Sequence, residues 1–357
     1  KEKPSLRSVK KRRVDEIVRP EIKEKNSQIA DCYNEVALTF SDKTKLEVRL
    51  YDNGMAYRMS TNRKGDLTIY DEFADFIFPS ASTLYFQQDA NMNSDYEAPY
   101  VSKKIQDIEA GATGNYPALV KTPTGTNILL LESDLQDYPC LWLEKGNEHL
   151  NAHFWKYPKT YNVDGNSKNR RKILTCEDYI AKVDGQRSFP WRVFAVADED
   201  KDLMSNQLVY LLAPKCQLED YSWIKPGWVT FDWWARRGLY NVDFKAGINT
   251  ETAKYMIDFA ANFGMRYFLF DDGWTYKEDL TKTIDGLDMK EVVDYATSKG
   301  VDVMLWVTYD LFDSQMDAAL EQFSKWGIKG LKIDFINRSD QEVSNFYWKA
   351  AKKAAEY

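Results

Sequence analysis

The sequence of 357 residues has little of what metal and redox sites are usually built from, with 4 cysteines and 2 histidines. Cys32, Cys140, Cys176 and Cys216 are widely spaced and form no C-x-x-C pair, so we expect free, buried thiols and no cysteine-based zinc site. No apolar run approaches about 18 residues, so no membrane span is predicted. The chain begins on Lys1-Glu2-Lys3-Pro4, which is polar and unlike a signal peptide.

Charge and aromatic content narrow the function classes. The net charge of −7 argues against nucleic acid as the default partner. Aromatic residues make up 14% of the chain, with 11 Trp and 22 Tyr. Aromatic faces stack on sugar rings, so this content favours carbohydrate, although β-rich cores are also aromatic. The length predicts two or three domains.

The first 213 residues alternate apolar and polar positions in short runs separated by turn residues. Residues 34–40 and 45–51 flank the turn 41–44, which predicts a hairpin. Many short strands with evenly spaced turns favour an antiparallel β-sandwich over 1–213. We predict strands over 34–40, 45–51, 55–59, 71–79, 83–87, 116–121, 126–133, 141–143, 152–155, 193–195 and 207–212.

A basic run, Lys10-Lys11-Arg12-Arg13, lies near the start of the chain. It could bind an anionic ligand. Lysines also protect exposed sheet edges from pairing with other chains, and we favour this second interpretation, an exposed edge strand.

After a linker predicted over 214–227, the short strands are replaced by strands that alternate with helices. Strands are predicted over 229–234, 266–270, 302–307 and 331–335, and helices over 250–263, 288–299, 314–326 and 341–357. A glycine follows each of the first three helices, as expected at helix ends. Four successive strand–helix units predict a parallel α/β domain over 228–357.

Acids follow all four of these predicted strands. In a (β/α) barrel, the carboxyl ends of the strands meet on one face and carry the chemistry. Lys332 and Asp334 lie two apart on the last strand, so both point to the same side. The alternative is an ordinary surface salt bridge, but the repetition along the chain favours a sugar pocket. The acids and aromatic residues at the strand ends are Asp232-Trp233-Trp234, Asp271-Asp272-Gly273-Trp274, Tyr309-Asp310 and Asp334.

Three segments carry a resemblance to a known family. They are Leu131-Glu132-Ser133-Asp134-Leu135-x-Asp137-Tyr138-Pro139, Asp271-Asp272-Gly273-Trp274 and Lys332-Ile333-Asp334-Phe335. With these segments, and with a predicted sandwich followed by a linker and a barrel, the sequence resembles glycoside hydrolase family 97 over nearly its whole length. The resemblance implies an N-terminal β-super-sandwich, a (β/α)8 barrel, a C-terminal all-β domain, a catalytic-site calcium and exo-acting α-glycosidase activity.

The resemblance also implies residue roles. The retaining branch of the family acts on α-galactosides and carries an Asp at the end of strand 4, where this sequence has Asp334. Asp334 is thus the expected nucleophile, and Lys332 beside it would keep its pKa low. Glu132 is the expected calcium ligand, with a solvated strand-end acid as the alternative. The expected substrate-binding residues are Asp271, Asp272, Trp274, Lys332, Trp233 and, more weakly, Glu97.

Two of these assignments have open alternatives. One of Asp271 and Asp272 could cap the following segment instead of binding a sugar hydroxyl. Trp233 and Trp234 are adjacent on a predicted strand, so one of them should face away from the pocket.

The sequence holds the first four βα units of the expected barrel. A half barrel would leave strand edges and an apolar interior open, so we expect a shortened chain or a part of a longer enzyme. The acid/base residue and most calcium ligands are then expected beyond Tyr357, and a protein that ends there should be unstable or inactive.

The leading functional hypothesis is a retaining, exo-acting α-galactosidase whose partner is an oligosaccharide with a terminal α-galactose. The alternatives are an α-glucosidase of the same family and a sugar-binding protein without turnover. The family resemblance implies a periplasmic or secreted enzyme.

Overall fold

The computed structural model describes residues 4–163 and 171–357. They form two compact units. The β unit comprises 4–161, 173–221 and 337–345, and the α/β unit comprises the remaining described residues, 162–163, 171–172, 222–336 and 346–357. The boundary between 221 and 222 falls inside the linker predicted over 214–227.

The β unit is built on a 13-stranded sheet in which every described pairing is antiparallel. The strand order is β1-β2-β3-β4-β15-β9-β8-β10-β11-β5, with β14 paired to β4, and β6 paired to β7 and β8. A separate pair, β12-β13, and two short helices complete the unit. The elements are β1 (Leu6–Val18), β2 (Ile29–Phe40), β3 (Thr44–Tyr51), β4 (Gly54–Ile69), β5 (Asp75–Phe76), β6 (Thr83–Gln88), β7 (Val101–Lys104), β8 (Thr113–Lys121), β9 (Asn127–Ser133), β10 (Trp142–Lys145), β11 (Leu150–His153), β12 (Pro158–Val163), β13 (Arg171–Cys176), β14 (Ala181–Ser188), β15 (Trp191–Ala197), α1 (Asp200–Leu203) and α2 (Leu208–Leu212).

The core of the β unit forms because the sheet folds over its own apolar face. Ala181 and Val183 of β14 pack in the same buried cluster as Leu84 of β6 and Leu130 of β9, strands that lie far from β14 in the sheet order. Inward-facing residues alternate with exposed ones along β14, as a half-buried strand requires. The large antiparallel N-terminal region predicted from the sequence is confirmed.

β1 is the edge strand that the basic run predicts. It pairs with β2 at one end of the sheet order, and most of its side chains are exposed. Arg12 lies opposite Glu35 and binds both of its carboxylate oxygens, at 2.6 and 2.8 Å. The lysines and arginines therefore protect an exposed edge, as predicted.

The α/β unit contains a parallel four-stranded sheet whose strands follow chain order, β16-β17-β20-β21. The helices α3 and α4 begin and end close to their predicted bounds, whereas α5 begins at Tyr309, well before the predicted start at 314. Asn249 and Asp288 cap two of them by accepting hydrogen bonds from the backbone N–H of Thr252 and Glu291. The elements are β16 (Val229–Phe231), α3 (Thr250–Asn262), β17 (Tyr267–Phe270), β18 (Thr275–Tyr276), β19 (Asp279–Thr283), α4 (Met289–Ser298), β20 (Asp302–Thr308), α5 (Tyr309–Trp326), β21 (Gly330–Asp334) and α6 (Gln341–Ala355).

Several sequence predictions about local structure are wrong. The strand predicted over 71–79 is reduced to Asp75–Phe76, and β12, β13 and β14 were not predicted. Residues 207–212 form the helix α2 instead of a strand, because a short apolar run fits either element and Leu208 and Leu212 bury one helical face. The strand predicted over 229–234 ends at Phe231 and continues as a 3-10 turn. The four thiols are free, as predicted, but Cys176 and Cys216 are exposed instead of buried. Within the described residues, no helix is both long and apolar enough to cross a bilayer.

Gly54 occupies a tight position where β4 begins. A Cβ atom there would lie 2.3 Å from the carbonyl oxygen of Phe194 and 2.6 Å from Leu208 Cδ1, and φ is +153°. We expect Gly54→Ala to lower the free energy of unfolding by about 3 kcal/mol, because the backbone contact cannot relax easily. Gly65→Ala is the control: φ is +75° but nothing lies within 4 Å, so the loss should be about 1 kcal/mol. Denaturant unfolding measures both, and equal losses would contradict the steric argument.

Candidate active site

Three acids meet at the carboxyl edge of the parallel sheet. Asp232 and Asp271 directly follow β16 and β17, and Asp334 is the last residue of β21. The fourth predicted acid, Asp310, lies in the first turn of α5 and forms an ion pair with Arg171, Nε to Oδ1 at 3.2 Å. The sequence therefore predicted correctly that acids gather at this edge.

The carboxylate of Asp334 is held by donors on both oxygens. Oδ2 accepts a hydrogen bond from Trp306 Nε1 at 2.8 Å, and Oδ1 accepts one from the backbone N–H of Phe335 at 2.7 Å. Phe335 itself has a left-handed backbone, with φ of +57°. About a third of the Asp334 side chain, 36%, remains exposed. Each carboxylate oxygen has two lone pairs, so both can bind these donors and one can still face a substrate.

These contacts keep Asp334 charged. Burial by itself raises the pKa of a carboxyl group, but the hydrogen bond from Trp306, the N–H of Phe335 and the charge of Lys332 outweigh it and lower the pKa of Asp334 below its ordinary value. The sequence predicted that the pKa of Asp334 is lowered, but it attributed this to Lys332 alone. It missed Trp306, although an indole on the neighbouring parallel strand was a usable signal.

Lys332 links two of the acids. Its Nζ lies 3.4 Å from Asp334 Oδ2 and 3.4 Å from Asp271 Oδ2. The ammonium also lies 4.6 Å from the ring centroid of Phe231, within the range of a cation–π interaction. Lys332 is thus fixed between β16, β17 and β21, and the pairing predicted for Lys332 and Asp334 is present.

A second network holds the buried end of the site. Asp232 Oδ1 accepts the backbone N–H of Asp271 at 3.0 Å, and its Oδ2 accepts Arg237 Nε at 2.8 Å. Burial raises the pKa of Asp232 in spite of Arg237. Asp271 is 5% exposed, whereas Asp272 is exposed and its carbonyl oxygen accepts a hydrogen bond from Arg237. Only Asp271 of this pair therefore shares a cation with Asp334.

The tryptophans differ from the sequence prediction. Trp274 has no exposed surface, donates Nε1–H to the carbonyl oxygen of Trp306 at 2.8 Å and packs against Phe323 and Trp326, so its predicted stacking on a sugar is wrong. Trp233 and Trp234 are both exposed, at 50% and 85%, because they lie in the 3-10 turn, where strand alternation does not apply. Trp233 can offer a ring face to a ligand, as predicted.

The two predicted residues of the β unit have different surroundings. Glu97 is exposed in the loop between β6 and β7, and its role stays a prediction. Glu132 is nearly buried on β9, where one oxygen binds Arg192 and the other accepts the backbone N–H of Leu141 at 2.8 Å. Arg192 also binds Glu72, with Nη2 to Oε2 at 2.8 Å, so one guanidinium is shared between two carboxylates. Burial raises the pKa of Glu132.

This geometry does not fit a calcium ligand. Calcium takes six to eight oxygens, roughly, and a coordinating carboxylate must be free to approach it. Both oxygens of Glu132 are used inside the β unit, one by a guanidinium. The described part of the chain holds no group of three or more His, Cys, Asp and Glu side chains arranged for a metal ion. Glu132 is therefore an ion-pair partner in this structure, and calcium binding stays a prediction.

Arg192 holds the buried carboxylates of the β unit. Removing it by Arg192→Met should lower the free energy of unfolding by about 3–5 kcal/mol, because Glu132 would be left buried without its counter-ion. Lys121→Met is the control, since Lys121 and Asp200 form an exposed pair, and such pairs contribute little to stability. Chemical denaturation of both variants tests this. A loss for Arg192→Met no larger than the control's would show that the network does not stabilise the fold.

Comparison with known proteins matches both halves of the chain to one family. Residues 1–214 match the family model "Glycosyl-hydrolase 97 N-terminal" and residues 233–357 match "Glycoside hydrolase 97". A retaining alpha-galactosidase of Bacteroides thetaiotaomicron is 36% identical over 369 residues, which cover 100% of this chain and 56% of that protein. A probable retaining alpha-galactosidase of Streptomyces bingchenggensis is 27% identical over 85% of this chain and 44% of its own length. The chain thus spans about half the length of these relatives.

Solved structures show the same fold. A glycoside hydrolase family 97 enzyme from Pseudoalteromonas sp. strain K8, in complex with acarbose, has a TM-score of 0.83 at 19% identity, covering 99% of this chain and 57% of its own. A beta-arabinopyranosidase has a TM-score of 0.78 at 20% identity, with the same coverage. From its site geometry, its fold and the two family models that match it, the chain belongs to glycoside hydrolase family 97.

Proposed function

We propose that the protein is a retaining, exo-acting α-galactosidase in which Asp334 is the nucleophile. The observation that carries the proposal is a half-exposed carboxylate, kept charged by Trp306, Phe335 and Lys332, at the carboxyl end of a parallel strand. The name of the 36% identical relative, a retaining alpha-galactosidase, supports the substrate and the stereochemistry.

The proposed chemistry follows from the charge state of Asp334. A retaining glycosidase forms a covalent glycosyl-enzyme, which requires an ionised carboxylate facing the anomeric carbon and a protonated carboxyl group about 5–5.5 Å away. Asp334 attacks the anomeric carbon as the aglycone leaves with a proton from the second carboxyl group. Water then breaks the new ester bond, and the sugar leaves with its original anomeric configuration.

The neighbouring residues position the sugar. Asp271 and Lys332 form a fixed acceptor and donor beside Asp334, which suits adjacent sugar hydroxyls. Asp272 is exposed and can accept a further hydroxyl. The exposed ring of Trp233 can pack on the apolar C–H side of the sugar. Glu97 is kept as a weaker candidate contact.

The finer fold and the remaining family features belong to the same proposal. We assign the four strand–helix units as the first half of a (β/α)8 barrel, and the β unit as a sandwich, because the strands follow chain order and the family's solved structures match both units. An oligosaccharide with a terminal α-galactose, a catalytic-site calcium and a periplasmic or secreted location stay predictions from the resemblance. The described residues do not fit calcium, so no step is assigned to it.

Replacing Asp334 by Asn tests the nucleophile. We expect Asp334→Asn in the complete protein to lower kcat on an aryl α-galactoside by about 10⁴-fold or more, because no covalent intermediate can form. NMR of the first product of the unaltered enzyme should show α-galactose. Asp294→Asn, which alters an exposed pair on α4, is the matched control and should keep full activity.

Each alternative function has its own outcome in that experiment. Faster hydrolysis of α-glucosides than of α-galactosides would support the α-glucosidase alternative. Sugar binding without any turnover by the unaltered protein would indicate a binding protein. Release of β-galactose first would rule out retention, and unchanged turnover by Asp334→Asn would reject Asp334 as the nucleophile.

Replacing Trp306 by Phe tests what keeps Asp334 charged. Without the indole N–H, the pKa of Asp334 should rise, so the acid limb of kcat/KM should move to higher pH. A hydrogen bond to a charged group contributes about 1.5–3 kcal/mol, so kcat/KM below that limb should fall roughly tenfold or more.

The control for this experiment is Trp274→Phe. It removes a buried indole hydrogen bond to the backbone of the same strand but leaves Asp334 untouched. It should lower stability without moving the acid limb. The role of Trp306 would be contradicted if the acid limb shifted equally in both variants. It would also be contradicted if the limb shifted in neither variant.

A further inference from the structure

A cavity of about 830 Å³ lies in the β unit, and none of its lining residues belongs to the parallel sheet. One wall is a face of β1 and β2, where alternate residues such as Val14, Glu16, Asp31 and Tyr33 point inward. The other wall comes from residues 21–24 and 210–216. Its volume lies within the range of roughly 300–1,000 Å³ that is typical of small-molecule sites. We call it the β1–β2 cavity.

Two acids that line the β1–β2 cavity lie opposite each other, an arrangement that is unfavourable in an antiparallel sheet. Glu16 and Asp31 are directly opposite each other on β1 and β2, and both line the cavity. Like charges in directly opposed positions destabilise an antiparallel pair. Residues that disagree with the local rules of folding are typical of binding sites.

Asp31 also has an unused hydrogen-bond acceptor. Its residue exposure is 9%, and Oδ1 accepts no hydrogen bond of good geometry from the described residues, although the Tyr51 hydroxyl, which also lacks a partner of good geometry, lies near enough to lower the pKa of Asp31. A buried polar atom without a partner is costly, so the site favours a ligand that brings a donor. Burial raises the pKa of Asp31 above its ordinary value, although the nearby Arg49 opposes this.

The charges around the cavity indicate which kind of ligand fits. The lining side chains include four cations and four carboxylates, but two of the cations are arginines that bind a glutamate outside the lining, so acceptor groups predominate and an anion does not fit. Arg12 and Arg49 are both engaged by Glu35, through Nε at 2.6 and 2.9 Å. A neutral ligand with several hydroxyl groups can donate to Asp31 and Glu16. Its C–H groups can pack against the apolar side chains of Ile22, Leu211 and Pro214 on the facing wall.

We propose that the β1–β2 cavity is a second binding site, for a neutral saccharide, in which Asp31 Oδ1 accepts a hydrogen bond from a sugar hydroxyl. The site lies within the β unit and contains none of the residues assigned to catalysis. It therefore stands independently of the α-galactosidase proposal. Binding there would hold saccharide on the protein without hydrolysing it.

Hydrogen–deuterium exchange of the complete protein tests the proposal. The Asp334→Asn background prevents turnover, and the probes are methyl α-galactoside, raffinose and maltotriose at millimolar concentrations. A bound saccharide should slow exchange in peptides covering 10–33 and 205–216. Asp31→Ala should weaken this protection by roughly tenfold or more, the value of a hydrogen bond to a charged group. Val14→Trp should abolish it by filling the cavity.

Matched controls separate the possible results. Asp15→Asn removes a carboxylate next to Glu16 that points to the opposite face of β1, so it should leave the protection unchanged. Protection that survives both Asp31→Ala and Val14→Trp would overturn the proposal. So would the absence of protection by every saccharide, which would mean that water alone satisfies Asp31. Protection by putrescine or calcium chloride but by no saccharide would overturn the ligand class.

Hydrolysis is measured separately, with Asp334 intact. Loss of the α-galactosidase proposal would appear as no turnover while the peptides stay protected. Loss of the second site would appear as turnover without protection. The two proposals therefore fail in different ways.

Discussion

The hydrogen bond from the indole of Trp306 to Asp334 supports the chemistry proposed for the α/β unit. A carboxylate that is about two-thirds buried would ordinarily hold its proton more tightly, because burial disfavours the charged form. Trp306 lies on β20 and Asp334 on β21, so the parallel register of these two strands sets the contact. The backbone N–H of Phe335 and the ammonium of Lys332 add to it. The charge state of Asp334 therefore depends on strand pairing as much as on the acid itself.

Lys332 and Arg192 hold acids in different ways. In the α/β unit, one lysine is shared between Asp271 and Asp334, and both acids keep some capacity for a ligand. In the β unit, Arg192 takes up Glu72 and Glu132 with directed hydrogen bonds, and these carboxylates are used for structure. A guanidinium suits the second task, because its planar fork satisfies carboxylates with fixed geometry. An ammonium, a compact charge with rotating donors, suits a site where a substrate must compete for the same oxygens.

Sequence patterns predicted what depends on periodicity and failed where tertiary packing decides. The four parallel strands and their helices were predictable because apolar spacing and helix-ending glycines repeat along the chain. The gathering of Asp232, Asp271 and Asp334 followed from that order. Trp274 was assigned to the site since it follows a strand, but α5 covers it completely. Arg237 and Trp306 were missed because their importance lies in contacts across 5 to 35 residues of chain.

The left-handed backbone of Phe335 limits which residues can follow Asp334. A side chain at φ of +57° is accommodated at a cost of about 1–2 kcal/mol, and β-branched residues fit this region worst. Phe335 therefore turns the chain directly after Asp334 in a conformation that the chain would not adopt by local preference. Sequence variation at position 335 is then confined to residues that tolerate this turn.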